Sequence, residues 1–275
     1  NIATGIFSAL GDSKTPFYFL AVSSLSNIGV DILFVAGFHM GVAGVAWATF
    51  LCQGVSCVLA VAVVFKRLKA VEGDEKAELF SLPILGRIVV IAVPSILQQS
   101  VLSVGNLFVQ EIVNGYGSSV VAGYSGAIKL NTFAINTFMT LGSCLSSYTA
   151  QNLGAGKPAR IPLGFRTGVK LSELAALPFV VLYFVFSRRM MGLFLTAESE
   201  AAIRVGMAFL RIVSPFYFMI SIKLMTDGII RGSGAMAYFV AATVPDLILR
   251  IGFALLLTPK FGSTGIWMAW PFGWF

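Results

Sequence analysis

The sequence predicts an all-α protein, a polytopic transmembrane bundle whose helices belong to two parallel-related six-helix lobes in the parent protein. Three observations lead to this fold class. The chain is 57% hydrophobic and only 11% charged, whereas an average soluble domain carries about 25% charged residues. It contains seven apolar runs that approach or exceed the ~20 residues needed to cross a bilayer. It also repeats itself internally.

The internal repeat begins with GIFSALG at residues 5–11, which returns as GIIRGSG at 228–234. Further along, GVAGVAWA at 41–48 pairs with GSTGIWMA at 262–269 after a shift of two positions. Six predicted helices separate the two copies, and an even number means that both copies cross the membrane in the same direction. Long internal repeats in a hydrophobic chain are typical of secondary transporters.

The apolar runs predict the spanning helices in chain order. They cover residues 17–37, 42–65, 84–113, 118–149, 161–187, 203–227 and 237–257. The chain starts without Met and stops inside a further apolar run, so we expect both ends to be cut points in a longer chain. We expect residues 1–65 to end the N-terminal lobe, 66–83 to be a cytoplasmic linker, and 84–275 to form a truncated C-terminal lobe.

The net charge of +7 does not indicate a nucleic-acid partner, because the basic residues fall mostly in short loops between apolar runs. If the loop with Lys14 is cytoplasmic, eleven basic residues lie inside and four outside. The inner set is Lys14, Lys66, Arg67, Lys69, Lys76, Arg87, Lys157, Arg160, Arg166, Lys170 and Arg231. This asymmetry predicts that 66–83 and 150–160 face the cytoplasm while 38–41 and 188–202 face out.

The sequence shows no catalytic constellation and no metal-ligand cluster, so we expect a protein that is not an enzyme and has no cofactor. GAGKP at 154–158 resembles a phosphate-binding loop, but it lacks the four-residue spacer, a Ser or Thr after Lys157, and a preceding strand. Its glycines are expected to end the preceding helix and turn the chain. The cysteines lie inside apolar runs, where they indicate small core residues rather than disulfides.

Acidic residues inside apolar runs are the candidates for function, because a charge at membrane depth is costly. They are Asp31, Glu111, Glu173, Asp227 and Asp246. Asp31 is the strongest candidate: it lies one helical turn after Asn27, and the turn at 38–41 brings Thr49 back to a similar depth. Three oxygen-bearing side chains then converge. The alternative is that Asp31 only locks this hairpin by hydrogen bonding.

Four strings, taken together, resemble the multidrug and toxic compound extrusion (MATE) family of bacteria. They are GDSKTP at 11–16, NIGVD at 27–31, GVAGVAWAT at 41–49 and AQNLGAGKP at 150–158. The resemblance covers the whole chain, from the end of the fourth helix to the start of the twelfth. It implies a multi-pass cell-membrane antiporter that exports drugs or other organic, often cationic, compounds. Coupling to cations, a V-shaped cavity between two lobes, and alternating access are implied as well.

The resemblance also assigns a cation site in the N-terminal lobe, with an Asn and an Asp on the fifth helix and a Thr on the sixth. Asn27, Asp31 and Thr49 match these positions, and Asn1 is a candidate for a fourth polar position. A further acid of the family's site, on its first helix, lies outside this chain. Oxygen ligands suit Na⁺ or a proton rather than a soft transition metal, and the residues do not distinguish the two.

The C-terminal lobe carries different polar residues. Asp246 and Arg250 are four residues apart on one helix face beside Pro245, where they form either a static ion pair or a gating pair. Further candidates to line a cavity are Gln98, Gln99, Asn106, Asn131, Asn136, Met139 and Lys129. Lys129, Arg211 and Lys223 are also interpreted as snorkelling or structurally paired. Because the middle of helix 84–113 lacks an acid, we expect coupling through the N-terminal lobe.

Three functions remain open at this point. Efflux by antiport is favoured, with a small organic substrate, membrane lipid as the surroundings, and a monomeric state. A lipid-linked or polysaccharide flippase would favour a strongly cationic groove for phosphates, whereas the basic residues here are scattered. A channel or uncoupled membrane protein would not require the buried acids.

Overall fold

The computed structural model describes residues 2–12, 14–71, 80–195 and 199–274. Within these ranges every regular element is a helix, which confirms the predicted all-α class. The chain divides into two compact units, Asn1–Phe80 and Ser81–Phe275.

Unit 1 is a helical hairpin preceded by a short helix. The short helix α1 spans Ile2–Ala9, α2 spans Lys14–Ile32 and continues through a π-helical turn at Leu33–Gly37, and α3 spans Gly41–Val71. Most apolar side chains of this hairpin are exposed, as expected of helices surrounded by lipid or by other membrane helices.

The segment predicted as a linker at 66–83 begins within a helix. Helix α3 continues to Val71, because the Lys and Arg residues of this stretch are good helix formers. The next helix begins at Leu82. Residues 72–79 lie outside the described part of the chain.

Unit 2 contains the remaining helices. They are α4 (Leu82–Asn114), α5 (Ser118–Gly154), α6 (Ile161–Val185), α7 (Ser187–Gly192), α8 (Glu200–Val213), α9 (Tyr217–Gly232), α10 (Met236–Phe261) and α11 (Ser263–Trp274). A short 3₁₀ turn at Ser214–Phe216 divides the predicted run 203–227 into α8 and α9. As predicted, the glycines of GAGKP end α5 and turn the chain, with Gly156 at φ 67°.

Among the described residues, six segments are both long enough and apolar enough to span a membrane. The sequence predicted seven. The run predicted at 118–149 is the long helix α5, but α5 carries many Ser, Thr and Asn residues and falls short of the apolar composition of the other six. It packs at the centre of unit 2, against α6, α8 and α9.

The internal repeat has a matching local backbone. Gly11 and Gly234 have φ values of 78° and 72°, and Gly41 and Gly262 have values of 58° and 59°. Residues other than glycine rarely adopt this left-handed conformation. The first copy is two residues longer between these glycines, and the π-helical turn at Leu33–Gly37 lies within it.

Small residues bring α5 and α9 together. A Cβ atom at Gly228 would collide with the carbonyl oxygen of Gly142, and one at Gly232 would collide with that of Ser146. Both helices therefore present small residues four positions apart, a pattern that lets membrane helices approach closely. The repeated string GIIRGSG thus contains a packing motif as well as a turn.

An aromatic core extends from α5 to α8 and α11. The ring of Tyr124 stacks on Trp267 with centroids 5.1 Å apart, and Phe209 meets both rings edge-on. Below them, the hydroxyl of Tyr217 donates a hydrogen bond of 2.9 Å to Asn131 Oδ1. This packing fixes the position of α5, on which several candidate cavity residues lie.

Candidate functional site

Unit 1 contains three of the predicted cation-site residues, and two of them are in contact. Asn27 Nδ2 on α2 donates a hydrogen bond of 3.5 Å to Thr49 Oγ1 on α3. One turn after Asn27, the Oδ1 atom of Asp31 is buried and meets no hydrogen-bond donor within the described residues. The fourth candidate, Asn1, lies outside them.

A buried carboxylate oxygen without a donor is energetically unfavourable unless a cation or a proton neutralises it. Asn27 lies on the same face of α2 as Asp31, and its contact partner Thr49 carries a neutral hydroxyl oxygen. Oxygen ligands of this kind suit a hard cation. The small-cation site that the sequence predicted at these residues stays a prediction, in which either a cation or a proton would satisfy the Oδ1 atom of Asp31.

Unit 2 contains a cavity of about 480 Å³ between α4, α5, α9, α10 and α11. Most of the predicted cavity residues line it: Gln98, Gln99, Asn106, Asn131, Asn136, Met139, Asp246 and Arg250. Lys129 does not, contrary to the prediction. Successive helical residues are about 100° apart, so Ile128 and Asn131 face the cavity while Lys129 is exposed, with its ammonium group 5.9 Å from the ring of Phe194.

Asp246 is the centre of the charged network in this cavity. Its Oδ2 atom pairs with the ammonium group of Lys223. Its Oδ1 atom lies 3.4 Å from Nη2 of Arg250, whose Nη1 lies 3.4 Å from Asn106 Oδ1. Both Asp246 and Arg250 are buried, with 6% of each side chain exposed. The predicted pair is therefore present, but Lys223 is the closer partner.

Sequence reasoning missed the cavity role of one face of α9. Lys223, Asp227 and Arg231 follow one another at intervals of four residues, so they share a face, and all three line the cavity. The sequence places Arg231 on the cytoplasmic side, after the apolar run 203–227. In the structure it lies in the last turn of α9, and its guanidinium carbon is 5.6 Å from the centroid of the Phe239 ring. The four-residue spacing of these charges in the sequence could have predicted that they share one helix face.

Close packing holds the network in place. Gln98 Nε2 on α4 donates a 3.1 Å hydrogen bond to Thr243 Oγ1 on α10. Gly273 of α11 lies so close to Asp246 that a Cβ atom there would collide with the carboxylate. The guanidinium carbon of Arg250 lies 5.2 Å from the centroid of the Trp270 ring, which is within cation–π distance.

Comparison with known sequences identifies the family. A family model described as MatE matches residues 94–256, which is more than half of the chain. The chain belongs to the MatE family. This confirms the predicted resemblance, and MatE proteins are transporters rather than enzymes. Together with the spanning helices, family membership makes this a multi-pass membrane protein.

Two relatives extend the match beyond the MatE segment. The chain is 29% identical over 273 residues to the probable multidrug resistance protein YpnP of Bacillus subtilis, covering 97% of this chain and 59% of the relative. It is 23% identical over 283 residues to the probable multidrug resistance protein NorM of Thermotoga maritima, covering 96% of this chain and 58% of the relative. The chain thus spans about three fifths of the length of these relatives.

Solved structures show the same fold. A crystal structure of a MATE protein in complex with MaL6 matches with a TM-score of 0.89 at 22% identity, over 99% of this chain and 62% of that one. A point mutant of the Vibrio cholerae MATE transporter VcmN also matches with a TM-score of 0.89 at 18% identity. This match covers 99% of this chain and 61% of the mutant chain. The helical architecture described above is therefore that of MATE transporters.

The remaining acids and cations of this MatE chain have other surroundings. Glu111 is exposed, whereas Glu173 accepts a 2.7 Å hydrogen bond from the hydroxyl of Ser221. Arg211 donates through Nε to Ser187 Oγ at 3.1 Å rather than to an acid. In the described ranges, no three His, Cys, Asp or Glu side chains come together as they would around a metal ion.

Proposed function

We propose that the protein is a secondary active transporter that exports small organic compounds across the cell membrane in exchange for Na⁺ or protons, by alternating access. Membership of the MatE family supports the transport role. The observation that carries the coupling is the buried Oδ1 atom of Asp31, which has no donor within the described residues and lies on a membrane-spanning helix.

The charge of Asp31 is the basis of the proposed coupling. An ionised carboxylate within a membrane is costly, by roughly 2.5–3.5 kcal/mol for an Asp at the centre of a helix. Binding a cation or a proton removes most of that cost. The occupancy of Asp31 therefore depends on the ion gradient, and the Asn27–Thr49 contact lies one helical turn before Asp31 on α2.

The cavity of unit 2 is the proposed place for the substrate. Its volume of about 480 Å³ falls within the ~300–1,000 Å³ typical of small-molecule sites. It combines polar side chains such as Gln98 and Asn136 with the rings of Trp270 and Trp274. We propose no cofactor, membrane lipid as the surroundings, and a monomer as the working unit.

The alternatives are less well supported. The relatives described as probable multidrug resistance proteins do not favour a lipid-linked or polysaccharide flippase. A channel would pass solute without a second gradient, whereas an antiporter requires one.

The experiment is transport by the whole protein in proteoliposomes. A Na⁺ gradient and a proton gradient are imposed separately, and export of the cation ethidium and of the anion 2-naphthoate is followed. We expect one gradient to drive export of at least one compound, and collapse of that gradient by an ionophore to stop it. Movement that is the same with and without gradients would contradict antiport and indicate a channel.

A further inference from the structure

The charged side chains around the unit 2 cavity do not balance. Among the described residues, three cations line it, on Lys223, Arg231 and Arg250, against two acids, Asp227 and Asp246. With every group in its ordinary ionised form, the cavity carries one surplus positive charge. A surplus charge in a buried site is unfavourable unless a counter-charge joins it.

The hydrogen-bonding groups are unbalanced in the same direction. Three buried N–H groups on cavity-lining residues have no acceptor within the described part of the chain: Nε of Arg231, Nε of Arg250 and Nε1 of Trp270. Among the fully buried side-chain atoms of the described lining residues, every atom without a partner is a donor. At these buried positions the lining therefore lacks acceptors.

Arg250 is the cation whose hydrogen-bonding groups are least well satisfied. Its contacts to Asp246 and Asn106 are both 3.4 Å long, whereas charge-assisted N–H···O bonds are normally about 2.7–2.9 Å. Asp246 is already paired through its other oxygen with Lys223. The guanidinium group thus lies within cation–π distance of Trp270, but its hydrogen bonds to its acceptors are weak.

We propose that this cavity binds an organic monoanion with an apolar body. The carboxylate of such a solute would accept from Arg250 and neutralise the surplus charge, and its body would pack on Trp270, Trp274 and Met139, which line the same cavity. A cationic compound would instead increase the positive charge of the lining. This substrate class rests on the proposed transport function.

The test compares two probes of similar shape and opposite charge, 2-naphthoate and 2-naphthylmethylammonium. Binding to the purified whole protein is measured by calorimetry. We expect the anion to bind at least about tenfold more tightly, the effect of one hydrogen bond to a charged group. A preference for the ammonium compound would overturn the proposal, and this result needs no variant.

Variants locate the site. Arg250→Gln should remove most of the preference for the anion, and Trp270→Phe, which keeps an aromatic ring but lacks the N–H group, should weaken naphthoate binding severalfold. Arg166→Gln makes the same chemical change at a position outside the cavity lining and should leave binding unchanged. If Arg250→Gln does not fold, Arg250→Lys, which keeps the charge, should retain part of the preference. Unaltered naphthoate binding in every folded cavity variant would overturn the assignment.

The outcome separates this inference from the proposed function. Naphthoate binding with the expected pattern, but no gradient-driven movement of any compound, would leave the anion site in place and contradict the transport proposal. Gradient-driven export of ethidium without naphthoate binding would support the transport proposal and contradict the anion site.

Discussion

The ammonium group of Lys223 on α9 pairs with the carboxylate of Asp246 on α10, so an ion pair joins the two helices beside the cavity. Arg250 reaches the other oxygen of the same carboxylate. The single negative charge of Asp246 is therefore shared between two cations. We expect a substitution at Asp246 to destabilise the network more than a substitution at either cation.

Replacing Asp246 by Asn should destabilise the protein strongly, because both cations lose their counter-charge. Breaking a buried pair from one side typically costs about 3–5 kcal/mol. Changing both partners, as in Lys223→Met with Asp246→Asn, should cost less than the two single changes together. The same cycle with Arg250→Gln should show weaker coupling, since that contact is longer. Denaturant unfolding in detergent measures these free energies, and additive effects in both cycles would contradict the network.

At the proposed cation site, Asp31→Asn should abolish gradient-driven export while leaving folding and membrane insertion intact. Asn keeps the shape and the hydrogen bonding of the side chain but removes the charge that a cation or proton neutralises. Thr49→Ala should cause a milder loss, because it deletes one neutral oxygen. Transport in proteoliposomes provides the measurement, and full activity of Asp31→Asn would identify Asp31 as a structural residue that locks the hairpin.

The close contact of α5 and α9 predicts a steric effect at Gly228. Replacing Gly228 by Ala forces a Cβ atom against the carbonyl of Gly142, and overpacking of this kind costs about 1–3 kcal/mol. Gly86→Ala is the matched control, because a Cβ atom there meets nothing within 4 Å and Ala favours a helix. Thermal unfolding should show a lower midpoint only for the first variant. Equal midpoints would contradict the packing.

Asp12 caps the start of α2. Hydrogen bonds from the hydroxyl (2.7 Å) and the amide (3.1 Å) of Thr15, with Arg67 Nη2 at 3.0 Å, hold the pKa of the Asp12 carboxyl below its ordinary value of 3.8. A lowered pKa in the folded state means that the stabilisation is complete above pH 3.8 and is lost as the pH falls through the lowered value.

We therefore expect the Thr15 amide to be protected from hydrogen exchange at neutral pH and to lose that protection in acid, after correction for intrinsic rates. In Asp12→Asn the amide oxygen still accepts from Thr15 but does not titrate, so the pH dependence of protection should disappear. A wild-type protein with equal protection at both pH values would contradict the capping role.

The predicted orientation can be tested by labelling single cysteines in a background without Cys52, Cys57 and Cys144. A cysteine at Ala159 should resist a membrane-impermeant reagent in intact cells, because 150–160 is predicted to be cytoplasmic. A cysteine at Leu193, which is 72% exposed, should react. The opposite pattern would invert the orientation.

Much of the fold was predictable because its signals are local. A membrane helix satisfies its own backbone hydrogen bonds, so an apolar run indicates a helix wherever its neighbours lie. Turns at Gly11, Gly41 and Gly156 follow from glycine's access to positive φ. The same reasoning did not predict that α3 continues to Val71, since the charged residues after position 65 favour a helix as well as a solvated linker.

The sequence by itself determined the helices, their turns, the internal repeat and the family, and it identified Asp31 and Asp246 as acids at membrane depth. Only the tertiary structure decided which groups pair: Lys223 is 23 residues from Asp246, and Asn106 is 144 residues from Arg250. Likewise, only the structure showed that Lys129 points away from the cavity, because its direction depends on how α5 is rotated against its neighbours. Helix formation is a property of neighbouring residues, whereas charge pairing depends on packing between distant segments, and apolar patterning does not specify that packing.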